Sequence, residues 1–281
     1  MRYAVMMNNL LDVLCADLAA EGDDVLALLE ALDEPAWSTP TGCAGWDLRD
    51  QVSHLAWNDD AAVLAVTEPG RFRRGRHDSP DAVQAMVDGV ITDNHHRSGT
   101  DLLGWFRTAR RGLLDAVAGR DPKLRVPWYG PDMSLASMVT ARFMETWAHG
   151  LDIAEAMDQP RGATDRVRHV VFLGLQALPN SFAANGRPIP DRPVRVEVRA
   201  PSGVLWCFGP EGAADVVRGE AQDLALVVTQ RRHLDDADLQ AEGPVAGEWL
   251  AIAQAFAGPP GTGRARAGLP LSTGPAEGEE G

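Results

Sequence analysis

A glutamate and a histidine stand four residues apart in the stretch Ala141-Arg142-Phe143-Met144-Glu145-Thr146-Trp147-Ala148-His149-Gly150-Leu151-Asp152. In a helix that spacing stacks both side chains on one face, a turn apart. Apolar residues at Met138, Val139, Phe143, Met144, Trp147, Leu151, Ile153 and Ala154 predict a helix from about Ser134 to Met157 that buries much of its circumference. Glu145 and His149 then turn toward an interior, where an unpaired carboxylate is costly and a divalent cation is one partner that removes the cost. A second histidine, His54, lies one to two turns inside another predicted helix, and two such helices can face one another in a bundle. A His/His/carboxylate set offers three ligands and leaves positions open for water or substrate, as catalytic zinc and non-haem iron sites do. The plain alternative is a surface Glu/His pair and a core histidine with no ion between them.

Around this set lie further candidates. Asp152, one turn past His149, has the spacing to orient that imidazole from behind. Trp57, Asn58, Trp128 and Tyr129 flank the predicted ligand elements and could line a pocket. His95 and His96 fall midway along a predicted third helix, so that one can face a cavity while its neighbour points away. Lysine occurs once, at Lys123 in an Asp-Pro-Lys turn, which leaves Schiff-base chemistry a single, poorly desolvated candidate. There is no Gly-x-Ser-x-Gly elbow, no Walker loop, no His-Glu-x-x-His and no dinucleotide fingerprint.

The elements that must position these residues follow from periodicity. Leu11, Leu14, Leu18, Val25, Leu28 and Leu32 predict an amphipathic helix from Asn9 to about Leu32. Asp47 opens a second, running to about Thr67, and residues 68 to 79 read as a charged loop. Ser79-Pro80 starts a third helix that runs, with a break near Gly99, to Gly119. A turn-rich connection from Asp121 to Met133 leads into the helix bearing Glu145, and a further helix covers about Thr164 to Ala184. The pattern then changes: residues 193–199 alternate with period two, Pro201-Ser202-Gly203 turns, and 204–208 form the second strand of a hairpin. A strand near Val216-Val217 and helices near 223–228 and 245–256 complete a small α+β unit. The expected organisation is mainly α: a four-helix bundle over 8–187, a small α+β domain over 188–258, and a disordered Gly/Pro/Ala/Glu tail over 259–281.

Composition bounds the partners. The 281-residue chain carries a formal charge of −14, which argues against nucleic-acid phosphate or an anionic membrane surface and leaves a small molecule as the expected ligand. No apolar run approaches the roughly 18 residues of a membrane span, and no basic leader precedes an apolar core. Cys15, Cys43 and Cys207 are odd in number and scattered, which suits reduced thiols in the cytoplasm; Cys43 stands apart, in a Gly-flanked loop just before a helix. A monomer or a homodimer is expected.

The first domain resembles the DinB-like metal-binding bundle of mycothiol-dependent maleylpyruvate isomerases. The resemblance is carried by Trp46-Asp47-Leu48-Arg49-Asp50-Gln51-Val52-Ser53-His54-Leu55-Ala56 and by the Glu145-x-x-x-His149 pair, and it continues into an α+β unit like the family's sterol-carrier-like C-terminal domain. The segment Trp249-Leu250-Ala251-Ile252-Ala253-Gln254-Ala255-Phe256-Ala257-Gly258-Pro259-Pro260-Gly261 looks like the signature of an uncharacterised branch. The resemblance implies a divalent metal held by His54, Glu145 and His149, usually Zn2+, with Ni2+, Fe2+ and Mn2+ as alternatives. It also implies a thiol cofactor such as mycothiol, activated by coordination for S-transfer or isomerisation. An arginine of the C-terminal domain takes part in the family's reaction. Val228-Thr229-Gln230-Arg231-Arg232 is the matching segment, and Arg231 the matching residue, although Gln230 replaces the family's small residue and a second arginine follows. The expected function is therefore a mycothiol-dependent transferase or isomerase. The alternatives are a thiol-independent Lewis-acid isomerase, cyclase or hydrolase of a specialised metabolite, and a non-enzymatic metal- or ligand-binding protein.

Overall fold

A computed structural model describes residues 2–76, 79–261 and 263–267, and the backbone alone at 2–9 and Pro80. The chain divides into two units, Met1–Leu173 and Gly174–Gly281. In the first, α1 (Arg2–Leu29) is followed by a 3-10 turn (Glu34–Ser38), α2 (Leu48–Thr67), α3 (Pro69–Gly75), α4 (Pro80–Asn94) and α5 (Gly99–Val117). A two-stranded ribbon, β1 (Arg125–Trp128) and β2 (Gly130–Ser134), leads into α6 (Leu135–Ala156). The helix α7 (Arg168–Gln176) starts in the first unit. The bundle is formed by α1, α2, α5 and α6, with α2 packed on α5 and on α6, and α1 packed on α6 and on α5.

Local chemistry explains the two helices that matter most. Asp47 caps α2 by accepting from Asp50 N at 3.1 Å while Asp50 accepts from Asp47 N at 3.0 Å, a reciprocal box that fixes where the helix begins and hence the rotation of His54. Ser134 caps α6, accepting from Ser137 N at 3.1 Å. Val25 and Leu29 of α1, Val52, Leu55 and Ala56 of α2, Leu102 and Phe106 of α5, and Ile153 of α6 meet in one buried cluster with Trp37. At Gly150 a Cβ would lie 2.8 Å from Val25 Cγ2 and 2.6 Å from Arg161 Nη1, so the residue after His149 has to be small for Val25 of α1 to pack against α6.

The second unit contains α8 (Leu178–Ala184), β3 (Val194–Arg199), β4 (Leu205–Phe208), β5 (Asp215–Glu220), α9 (Ala221–Val228), β6 (Leu239–Glu242) and α10 (Pro244–Ile252). Its sheet has the order β4-β3-β5-β6, with β3 parallel to β5 and the other pairs antiparallel. Val194, Val196 and Val198 face the core, as the period-two alternation requires.

Several expectations are corrected. Residues 69–75 are helical, not loop, because Pro69 starts a turn that buries Phe72. The break expected near Gly99 separates the third predicted helix into α4 and α5, with His95 capping the end of α4. The Asp121–Met133 connection contains β1 and β2, short strands hidden in the sequence by Pro127, Gly130 and Pro131. Residues 164–184 hold two helices, since Pro179 starts α8 afresh. In the second unit α8 packs on α10, where Ser181 Oγ donates to Gln254 O at 3.2 Å. The tail expected over 259–281 falls outside the described residues from 268 onward.

Candidate metal centre

His54 on α2 and Glu145 and His149 on α6 come together inside the bundle, with one donor atom from each lying within 4.8 Å of the others. Glu145 Oε2 is the meeting point: His54 Nε2 lies 3.4 Å from it and His149 Nε2 3.2 Å. The imidazole centroids are 4.7 Å apart, and Trp46 covers both rings, stacked on His149 at 5.8 Å and tilted against His54 at 5.2 Å. His149 is buried, whereas the side chains of His54 and Glu145 keep 13% and 19% of their exposure.

The hydrogen bonds behind His149 decide which nitrogen carries its proton. Thr41 Oγ1 donates to Trp46 O at 3.0 Å and therefore accepts from Gln51 Nε2, at 2.7 Å. Gln51 Oε1 then faces His149 Nδ1 at 2.5 Å as an acceptor, so that Nδ1 carries the hydrogen and Nε2 presents its lone pair to Glu145 Oε2. An imidazole lone pair 3.2 Å from a carboxylate oxygen is repulsive unless a positive charge lies between them. His54 is neutral as well: burial pushes its pKa down to about 4, and the charge of Arg142 adds to this, against the pull of Glu145. Burial alone would raise Glu145, but its polar surroundings, the Arg142 charge among them, hold it well below the ordinary carboxylate range. Two neutral nitrogens and an anionic oxygen thus converge, a donor set that fits a divalent cation of borderline softness.

The remaining sequence candidates are distributed as follows. Asp152 is buried rather than solvent-facing; its Oδ2 lies 3.8 Å from His149 Nδ1 and accepts from Cys43 Sγ at 3.2 Å, so Gln51, not Asp152, makes the close contact behind the imidazole. Asn58 donates from Nδ2 to His54 O and lies 3.0 Å from His54 Nε2. Trp57 and Tyr129 stack at 5.8 Å, and Tyr129 touches Trp128 and Phe72, making an aromatic wall in the same unit. Arg231 lies in the second unit after α9, where its Nη1 donates to Thr229 O at 2.8 Å, and Arg232 pairs with Asp223. His95 is exposed and lies 3.3 Å from Asp50 Oδ1, so its grouping with Asp47 and Asp50 is the cap of α2 and a surface imidazole.

Residues 18–154 match the family model described as the mycothiol maleylpyruvate isomerase N-terminal domain. Two proteins from different strains of Mycobacterium tuberculosis, both described as uncharacterized, one of them MT0041, are each 43% identical to the chain over 249 residues, which is 89% of this chain and 97% of theirs. The chain belongs to the mycothiol maleylpyruvate isomerase N-terminal domain family. Its fold is that of the crystal structure of the mycothiol-dependent maleylpyruvate isomerase, with a TM-score of 0.57 at 15% identity over 83% of this chain and 95% of that one. A histidine-to-alanine variant of the same enzyme matches with a TM-score of 0.55 at 16% identity over the same shares. In this member of the mycothiol maleylpyruvate isomerase family, sequence reasoning passed over Trp46, Gln51, Thr41 and Arg142. Gln51 was within reach, since it precedes His54 by three residues and so shares its face of α2. Arg142 precedes Glu145 by three in the same way.

Proposed function

We propose that the protein is a metal-dependent enzyme acting on a small molecule, in which His54, Glu145 and His149 hold one divalent cation, zinc being the ion that suits two imidazoles and a carboxylate. The observation that carries this reading is the facing of two acceptors, His149 Nε2 and Glu145 Oε2, across 3.2 Å beside a neutral His54. The reaction we assign is S-transfer or isomerisation assisted by mycothiol, a reading supported by the family to which the chain belongs. A bound ion would supply Lewis acidity, lowering the pKa of a coordinated thiol so that thiolate is present near neutral pH.

The chain's own residues then have distinct tasks. Gln51 holds the proton on His149 Nδ1 and so turns the Nε2 lone pair toward the ion. Asn58 braces the His54 ring, and Trp46 covers both imidazoles and keeps water off that side. Arg142 keeps Glu145 anionic. Arg231 is the arginine of the second unit that we assign to the reaction. Cys15, Cys43 and Cys207 are thiols, which fits a reducing cytoplasm as the place of work, and no helix among the described residues is long and apolar enough to cross a membrane.

Elemental analysis of the purified protein tests the reading, with His54→Ala and His149→Ala beside wild type. About one equivalent of divalent metal in wild type and none in folded variants is the expected result. Metal content unchanged in both variants overturns it. Turnover of electrophiles with and without added thiol then separates S-transfer or thiol-assisted isomerisation from Lewis-acid chemistry alone. In Arg231→Gln, turnover is expected to fall while metal content stays.

A further inference from the structure

Two arginines are buried in the bundle of the first unit, and their surroundings differ. Arg110 on α5 is saturated: Nε donates to Asp59 Oδ2 at 2.7 Å, Nη1 to Leu18 O at 2.8 Å and Nη2 to Thr146 Oγ1 at 2.7 Å. Arg142 on α6 is 3% exposed, yet among the described residues no guanidinium nitrogen of it finds a hydrogen-bond acceptor, and its Nε is buried with no partner at all. Its contact with a carboxylate is long, Nη2 to Glu145 Oε1 at 3.8 Å, on the oxygen that faces away from the imidazoles. Its other support is the face of Trp128, 5.4 Å from Cζ to the ring centroid. A guanidinium stays charged at any physiological pH, and burying that charge without acceptors is costly unless something else supplies them.

The surroundings say what that something is. Trp128, Tyr129, Phe72 and Trp57 form a flat wall of stacked and tilted rings. Burial pushes the Tyr129 hydroxyl up to about 12, so it is a neutral phenol with a proton to donate. A planar cationic fork lying on an aromatic face, beside an apolar wall, matches a planar anionic group with two oxygens.

We propose that Arg142 is a specificity-determining residue of this site, its guanidinium taking a carboxylate of the small molecule that is held next to His54, Glu145 and His149. That the carboxylate and the metal serve one ligand rests on the metal reading above; the binding of a carboxylate at Arg142 does not.

The test titrates succinate, and succinamide as its uncharged counterpart, into EDTA-treated wild type, Arg142→Lys and Arg142→Met, followed by tryptophan fluorescence and by Tm. Wild type is expected to bind succinate and not succinamide, and to gain a few degrees in Tm at saturation. Arg142→Met should bind succinate at least tenfold more weakly and Arg142→Lys should recover part of the loss, because an ammonium keeps the charge without the fork. Arg142→Met should also melt no lower than wild type, since it removes a buried cation that lacks acceptors. Succinate binding that is equal in wild type and Arg142→Met, or absent from wild type, overturns the proposal, as does an Arg142→Met protein that melts well below wild type with succinate leaving the wild-type Tm unmoved. Because these measurements use metal-free protein, a failed elemental analysis would sink the metal reading and leave this result standing, and the reverse holds too.

Discussion

Gln51 Oε1 and His149 Nδ1 lie 2.5 Å apart, a bond that reaches from α2 to α6 and sets the protonation of an imidazole whose other edge faces Glu145. Gln51→Leu keeps the volume and removes the acceptor. Metal affinity is expected to fall by about 10- to 100-fold, as loss of a ligand's outer partner does elsewhere, while the helical circular dichroism stays at wild-type strength. Competition with a chelating dye measures it; unchanged affinity would detach Gln51 from the site.

The Arg110/Asp59 pair is buried on both sides and shares Thr146 with the helix that bears Glu145. Removing one partner leaves a stranded charge. Asp59→Ala or Arg110→Met alone is expected to cost about 3–5 kcal/mol in urea unfolding, and the double replacement Asp59→Leu with Arg110→Met considerably less than the two single costs together. Additive losses would show that the pair is not a unit.

Gly99 opens α5 under the indole of Trp37, where an added Cβ would lie 2.1 Å from Nε1. Trp37 is among the largest fully enclosed side chains and has nowhere to retreat. Gly99→Ala is expected to destabilise by about 1–3 kcal/mol through overpacking, with metal content unaffected. Differential scanning calorimetry reads the loss directly.

What the sequence made legible follows from where the information lies. The bundle helices are written in residues spaced three and four apart and in caps such as Asp47 and Ser134, so α2 and α6 start within a residue of where they are expected, and with them the rotation that aims His54, Glu145 and His149 inward. Elements held by tertiary packing leave no such trace: α3 exists because Phe72 is buried, and β1 and β2 pair in spite of Pro127 and Pro131. The site divides the same way. Two imidazoles and a carboxylate are visible as a spacing, but the Thr41, Gln51, His149 chain joins three segments, and the missing acceptors of Arg142 are a property of its surroundings rather than of its type.

The pH dependence of stability in the metal-free protein follows from His54. Its folded pKa of about 4 is below the ordinary 6.5, chiefly because it is buried, so between those values the unfolded chain binds a proton that the folded chain does not. The contribution is therefore complete above pH 6.5 and is lost as pH falls toward 4. Glu145, held well below its ordinary value, acts in the same direction at lower pH, because stability that depends on its charge is lost as it protonates. Measurement is best kept above the isoelectric point of about 4.9, where a vanishing net charge promotes association. Between pH 7.5 and 5.5, His54 alone is expected to remove about 1 kcal/mol of unfolding free energy. Urea titrations of EDTA-treated wild type and His54→Asn at the two pH values isolate it: the wild-type midpoint should drop more than that of the variant. Equal drops would mean that His54 is charged in the folded protein at pH 5.5, and the convergence of two neutral imidazoles on Glu145 would no longer describe the site.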